Sequence, residues 1–235
     1  MPDNVISGHP SRGTLLRWIA WFGIANAVLF ALAGVRYLLA FGLPESGIAL
    51  LYVVLASISQ FALLGFLPLM LLLGPVALLI PRKGLVLTLG VILMALALTV
   101  LVLDTNVFAQ YRYHLSLLTV EIFAASTWVF AGIILFVALL FESMLAGNIW
   151  QRLQARRGRP GVWLALLLVG TGLVAQGIHV WADAVAYTPI TSFTRFLPAY
   201  FPLKAKRRLA KLGWIDPAKV EQDRLLRRAS APDAG

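Results

Sequence analysis

Apolar residues come in blocks along this chain instead of alternating with polar ones. Five stretches, about residues 18–43, 50–80, 85–103, 127–149 and 162–186, are apolar almost throughout and are separated by short polar punctuation. A run of ~18 or more apolar residues can cross the hydrocarbon layer as a helix. The period-two pattern of a membrane barrel is absent, and within hydrocarbon a helix satisfies its own backbone. The pattern therefore predicts an all-α membrane protein built as a bundle of five transmembrane helices.

The first run follows Arg12 and Arg17 and is too long for a signal peptide, so it reads as an uncleaved span. In it Gly23, Ala27 and Ala31 form a small-residue stripe suited to close helix contact. The second run, roughly 46 Å if helical, exceeds the bilayer core and should tilt, protrude, or kink at Pro68 or Pro75. The third leads into DTNVFAQYRYHLS (104–116), and the fourth carries Glu142 and ends in WQRLQARRGRP. Trp150, Trp163, Trp181 and Tyr187 fall where interface anchors belong.

The pattern divides the chain into a five-span transmembrane domain (1–186) and a basic tail (187–235). Pro189, Pro198 and Pro202 predict an extended course over 192–201. A helical segment should follow Pro202 and stop at Gly213, with Ala205, Leu209 and Leu212 on its apolar face. Asp216-Pro217 then reads as the cap and first position of a second charged helix, to about Arg228.

Composition agrees with this: 60% of the 235 residues are hydrophobic and 13% charged, with a mean hydropathy of +0.85. Cysteine is absent, which removes disulfides and thiolate chemistry. The net charge of +10 is concentrated in the tail, where ten Lys/Arg face four Asp/Glu. Tethered beside a bilayer, such a tail meets lipid headgroups before nucleic acid, so no nucleic-acid partner is expected. Arg12/Arg17, Arg82/Lys83 and the arginines at 152, 156, 157 and 159 share one side, which the positive-inside rule makes cytoplasmic, together with the N-terminus. Five spans then deliver the basic tail to the opposite side, where its charge is unexpected unless it serves a purpose there.

That topology brings Arg36, Asp104, Arg112, His114, His179 and Asp183 near the outer face. An inter-helix ion pair of Arg36 with Asp104 and Asp183 is the expected use, since charges at span ends pair. Glu142 is the one acid well inside a span; it either bonds a neighbouring helix or contacts an intramembrane partner. Hydrolase, zinc-protease and nucleotide-loop motifs are missing, and no spacing fixes a metal set, so a non-enzyme without metal or cofactor is expected. The strongest site candidate is the basic segment Lys204, Lys206, Arg207, Arg208 and Lys211. There cations, and a helix start after Pro202, could clamp phosphate groups.

The residues at 36–37, DTNVFAQYRYHLS, IHVWADAVAYTPIT and LPAYFPLKAKRRLAKLGWID resemble the YejM/PbgA family of Gram-negative inner-membrane proteins, over nearly all of the chain. Glu142, eight residues before Trp150-Gln151, fits the family's pattern too. The resemblance implies a periplasmic C-terminal tail that binds lipid A phosphates of lipopolysaccharide. It also implies a membrane domain that engages LapB, and so governs FtsH-dependent degradation of LpxC. Lys206 and Arg207 match the family's paired-arginine positions, with lysine replacing the bidentate fork at the first. The family's periplasmic sulfatase-like domain would begin where this chain stops, so this chain is expected to lack it. Two other roles follow from the resemblance: anchoring a separate hydrolase of that fold, and binding or transporting cardiolipin, another anionic phospholipid.

Overall fold

The computed structural model describes residues 10–116, 120–121, 123–153, 160–204, 206–216, 218, 220–222 and 225. Among them, five helices are long and apolar enough to cross a membrane. They are α1 (Arg12–Phe41), α2 (Gly47–Pro68) with its continuation α3 (Gly74–Leu79), α4 (Lys83–Tyr111), α5 (Ala125–Arg152) and α6 (Pro160–Ala184). Two short helices follow, α7 (Thr188–Thr191) and α8 (Lys206–Lys211). The expected five-span, all-helical class is what the described residues form.

Local chemistry sets the ends. The Ser11 hydroxyl accepts from the Thr14 N–H at 3.2 Å and opens α1, while Gly42, at φ 98°, closes it. Between α2 and α3 the chain makes a π turn over Leu69–Leu73, directly after Pro68. Pro68 has no N–H for the helical ladder, and the widened turn absorbs the defect. Pro75 sits in the first turn of α3, where an N–H is not needed. The long second run thus changes register at its prolines without splitting into two spans.

α1 is the hub. Half of its most apolar stretch is buried, against 17% for α5 and for α6. It packs against α2 and α4; α2 in turn carries α6, and α4 carries α5. Hydrocarbon tails are as apolar as leucine, so helices associate by close fit rather than by escape from water. The closest approach to another backbone among the described glycines is at Gly65 of α2, where a Cβ would stand 2.5 Å from the Ala27 nitrogen. Gly23 lies against Phe66, and Gly34 receives the Phe61 ring. Gly23 and Ala27 of the small-residue stripe therefore do face a neighbouring helix.

The tail corrects one expectation. Residues 192–199 are not extended: α7 leads into a 3-10 turn over Ser192–Thr194 and then into further turns. Pro189 occupies the first turn of α7, where proline starts a helix instead of forbidding one. Ile190, Phe196 and Leu197 then sink into the same core as the spans, with Phe41 meeting Phe193 and Phe196 edge-on and tilted. Burial of these side chains outweighs the extended preference of the residue before Pro198. Residues 200–204 have no regular structure.

α8 stops as expected. The Trp214 N–H donates to the Leu209 carbonyl at 3.0 Å and the Gly213 N–H to the Ala210 carbonyl at 3.1 Å, with Gly213 at φ 72°. Asp216 accepts from the Ala218 N–H at 2.9 Å, a capping contact. Most of the second charged helix, Ala205 and Pro217 lie outside the described residues.

Candidate functional site

Residues 198–203 form a wedge of non-helical backbone held against the spanning helices, and side chains from the spans partner four of its backbone polar groups. Gln60, roughly 20 Å along α2 at 1.5 Å per residue, donates from Nε2 to the Pro198 carbonyl at 2.6 Å. Gln176 of α6 accepts from the Leu203 N–H at 2.8 Å and donates to the Phe201 carbonyl at 3.5 Å. His179 donates from Nδ1 to the Leu203 carbonyl at 3.1 Å. The Tyr52 hydroxyl donates to that of Tyr200 at 3.5 Å, and the Tyr187 hydroxyl to Ser46 at 3.2 Å. Burial pushes the Tyr200 phenol up, with its bond to Tyr52 opposing in part.

Gln60→Leu removes the shortest of these bonds and leaves the Pro198 carbonyl without its partner, about 1–3 kcal/mol of local destabilisation. Limited proteolysis of the purified protein should then cut after Arg195 or Lys204 several-fold faster. Unchanged cleavage would mean that Gln60 does not hold the wedge.

A second node ties the wedge to α1 and α4. Asp104 is 5% exposed and accepts from the Tyr37 hydroxyl, from His114 Nδ1 at 2.6 Å and from the Leu115 N–H. Nε2 of His114 faces the Arg195 carbonyl at 3.0 Å. Both ring nitrogens thus face oxygen atoms. The His114 ring also stacks on Phe108.

The expected ion pair among Arg36, Asp104 and Asp183 is not formed. Tyr37, not Arg36, faces inward, because adjacent helix positions point about 100° apart. Arg36 is exposed and donates to Asn106 Oδ1 at 2.8 Å. Asp183 has its own place, lining a cavity of about 700 Å³ with His114, His179, Arg195, Tyr200 and Lys204. Four polar residues that sequence topology brought to one face thus meet at one end of the bundle, in different pairings.

The basic segment begins at the rim of this cavity. Lys204, Arg208 and Lys211 are exposed and Lys206 is half-buried; the Arg207 side chain lies outside the described residues. α8 spans six residues.

At the opposite end, the Arg17 guanidinium donates to the Leu153 carbonyl at 2.7 Å, and the Lys83 ammonium stands 4.7 Å from the Trp150 ring centre. Arg156, Arg157 and Arg159 lie outside the described residues. Glu142 takes the first of its two expected roles: it is fully buried and accepts from Asn26 Nδ2 of α1 at 3.2 Å, a bond to a neighbouring helix. The reason is spacing: Ala138, Glu142, Ala146 and Ile149 make up the buried stripe of α5 that faces the bundle. One turn on, Trp18 Nε1 donates to the Ala146 carbonyl at 3.2 Å.

Gln60, Gln176, Tyr52 and Asn26 escaped the sequence reading. Lone amides inside apolar runs were the signal, since a polar group in hydrocarbon is retained only where it meets another.

The family profile described as "Domain of unknown function (DUF3413)" matches residues 9–232. The chain is 31% identical over 229 residues to the inner membrane protein YejM of Salmonella typhimurium and, equally, to that of Salmonella typhi, covering 94% of this chain. It is 24% identical over 232 residues to an uncharacterized protein of Haemophilus influenzae, covering 93% of this chain. It spans 39% of the length of these curated relatives. With the profile covering almost the whole bundle and its capped end, the chain belongs to the DUF3413 family of membrane proteins.

Proposed function

We propose that this protein is a non-catalytic sensor in the inner membrane of a Gram-negative cell, reading lipopolysaccharide at the periplasmic leaflet. In this reading the N-terminus is cytoplasmic and the capped end periplasmic. Lys206, Arg207, Arg208 and Lys211 receive lipid A phosphates, with Lys204 beside them. One observation carries the proposal: the basic segment, exposed at Lys204, Arg208 and Lys211, follows a wedge whose backbone is held by Gln60, Gln176 and His179 of the spans. A load on the segment is therefore transmitted to α2 and α6. Similarity to YejM, an inner membrane protein by name, supports the location. The collection of Arg17, Lys83 and Arg152 away from the wedge supports the orientation. Signalling passes to a LapB-like membrane partner on the cytoplasmic side.

Each cation beside an anionic surface contributes about 1 kcal/mol, so Lys206→Ala/Arg207→Ala should cut co-purified lipopolysaccharide roughly tenfold or more. Undiminished capture by the double variant would falsify the binding assignment. Orientation is tested separately by alkaline phosphatase fused after residue 235. The fusion should be active; an inactive fusion, present at normal level, puts the tail in the cytoplasm and ends the lipid A reading.

A further inference from the structure

We propose that the cavity at the wedge is a second binding site, for a phosphoethanolamine group: a primary ammonium joined through two carbons to a phosphate. The site goes beyond the lipid A reading and does not rest on it: Lys204 borders both, but Asp183 and Arg195, which define the site, line the cavity and take no part in that reading.

The first half of the argument is the carboxylate. Oδ2 of Asp183 is buried without a hydrogen-bond partner. A buried acceptor in that state costs free energy until a donor reaches it, and an ionised one more so. Lys204 lines the same cavity, yet forms no ion pair with Asp183. His179 cannot serve through Nδ1, which is committed to the Leu203 carbonyl. The missing group is an N–H donor, and a charged one matches best.

The second half is the pair of cations in the same lining. Arg195 and Lys204 also line the cavity, and among the described residues neither is ion-paired. A guanidinium and an ammonium without a carboxylate partner suit phosphate oxygens. Thr191 and Thr194 add hydroxyls that donate to main-chain carbonyls and keep free acceptor lone pairs. The lining thus calls both for a cation that carries N–H and for an anion. A zwitterion meets both.

This chemistry discriminates among headgroups. Phosphocholine carries no N–H for Asp183, and phosphoglycerol carries no positive charge. The full-length protein in detergent, titrated with phosphatidylethanolamine, phosphatidylcholine and phosphatidylglycerol of matched acyl chains and read by native mass spectrometry, should prefer the first about tenfold, the worth of one charge-assisted bond. Asp183→Asn should abolish that preference while leaving phosphatidylglycerol binding within about twofold. Arg195→Gln, an exposed position safe for folding, should weaken phosphatidylethanolamine binding several-fold. Competition by free O-phosphoethanolamine marks a soluble source for the group; its failure to compete with the lipid marks the headgroup itself. Equal binding of the three lipids by the wild type, or an Asp183→Asn protein that melts normally and keeps the preference, overturns the proposal. Unchanged binding by Arg195→Gln removes the phosphate half of the site and overturns it as well.

Discussion

Replacing Asp104 by alanine is expected to destabilise the protein by about 3–5 kcal/mol, because it strands three donors at once, one buried and two part-buried. The Tyr37 hydroxyl, His114 Nδ1 and the Leu115 N–H all converge on this carboxylate, which is 5% exposed. In a chain of this size such a loss should lower the melting temperature in detergent by on the order of 10 °C. Asparagine is little better, because half of its amide is a donor facing donors. Tyr37→Phe, which deletes a single bond, should cost about 1 kcal/mol. Arg36→Ala, one residue away but on the exposed side, should change stability by less than about 0.5 kcal/mol.

The consequence should reach beyond α4. Because His114 also holds the Arg195 carbonyl, the Asp104→Ala protein should exchange its amides faster at 195–204 than at α1. An Asp104→Ala protein that melts like wild type would show that the node is decorative. One that melts early but keeps protection at 195–204 would uncouple the node from the wedge.

The bundle was legible because hydrocarbon leaves the backbone no choice: an apolar run of sufficient length must be a helix. Gly23 and Ala27 could be read as a contact stripe for the same reason, since small residues admit a neighbouring backbone. Which side chain pairs with which was not legible. Arg36 and Asp104 have opposite charges and lie at the same end, but pairing depends on rotation about α1, and that rotation turns Tyr37 inward. Glu142 was legible as embedded, but its direction depends on the α5 stripe that includes Ala138 and Ala146, residues too small to announce a buried face. The wedge was the hardest to foresee. Three prolines argued for an extended tail, and only the packing of Ile190, Phe196 and Leu197 against the spans turns it back into the bundle. Once it is there, Gln60 and Gln176, which look out of place in apolar runs, become necessary.

Gly65→Ala should be among the most disruptive changes by a single methyl group. The added Cβ would stand 2.5 Å from the Ala27 nitrogen and 2.7 Å from its Cα, and both are backbone atoms that cannot rotate aside. Overpacking of this kind costs about 1–3 kcal/mol, more than the ~1 kcal/mol that alanine gains over glycine in a helix. Gly34→Ala meets the Phe61 ring, a side chain that can turn, so its loss should be smaller. Gly132→Ala meets nothing within 4 Å and should leave the melting temperature unchanged or raised. The order Gly65 below Gly34 below Gly132 in melting temperature is the test; a Gly65→Ala protein as stable as Gly132→Ala would mean that α1 and α2 are not in contact there. The effect should not stop at stability. Gln60 lies little more than one turn from Gly65 on α2, so a helix pushed away from α1 carries with it the amide that holds the Pro198 carbonyl. Proteolysis after Arg195 or Lys204 should therefore rise in Gly65→Ala as it does in Gln60→Leu, and stay at the wild-type rate in Gly132→Ala.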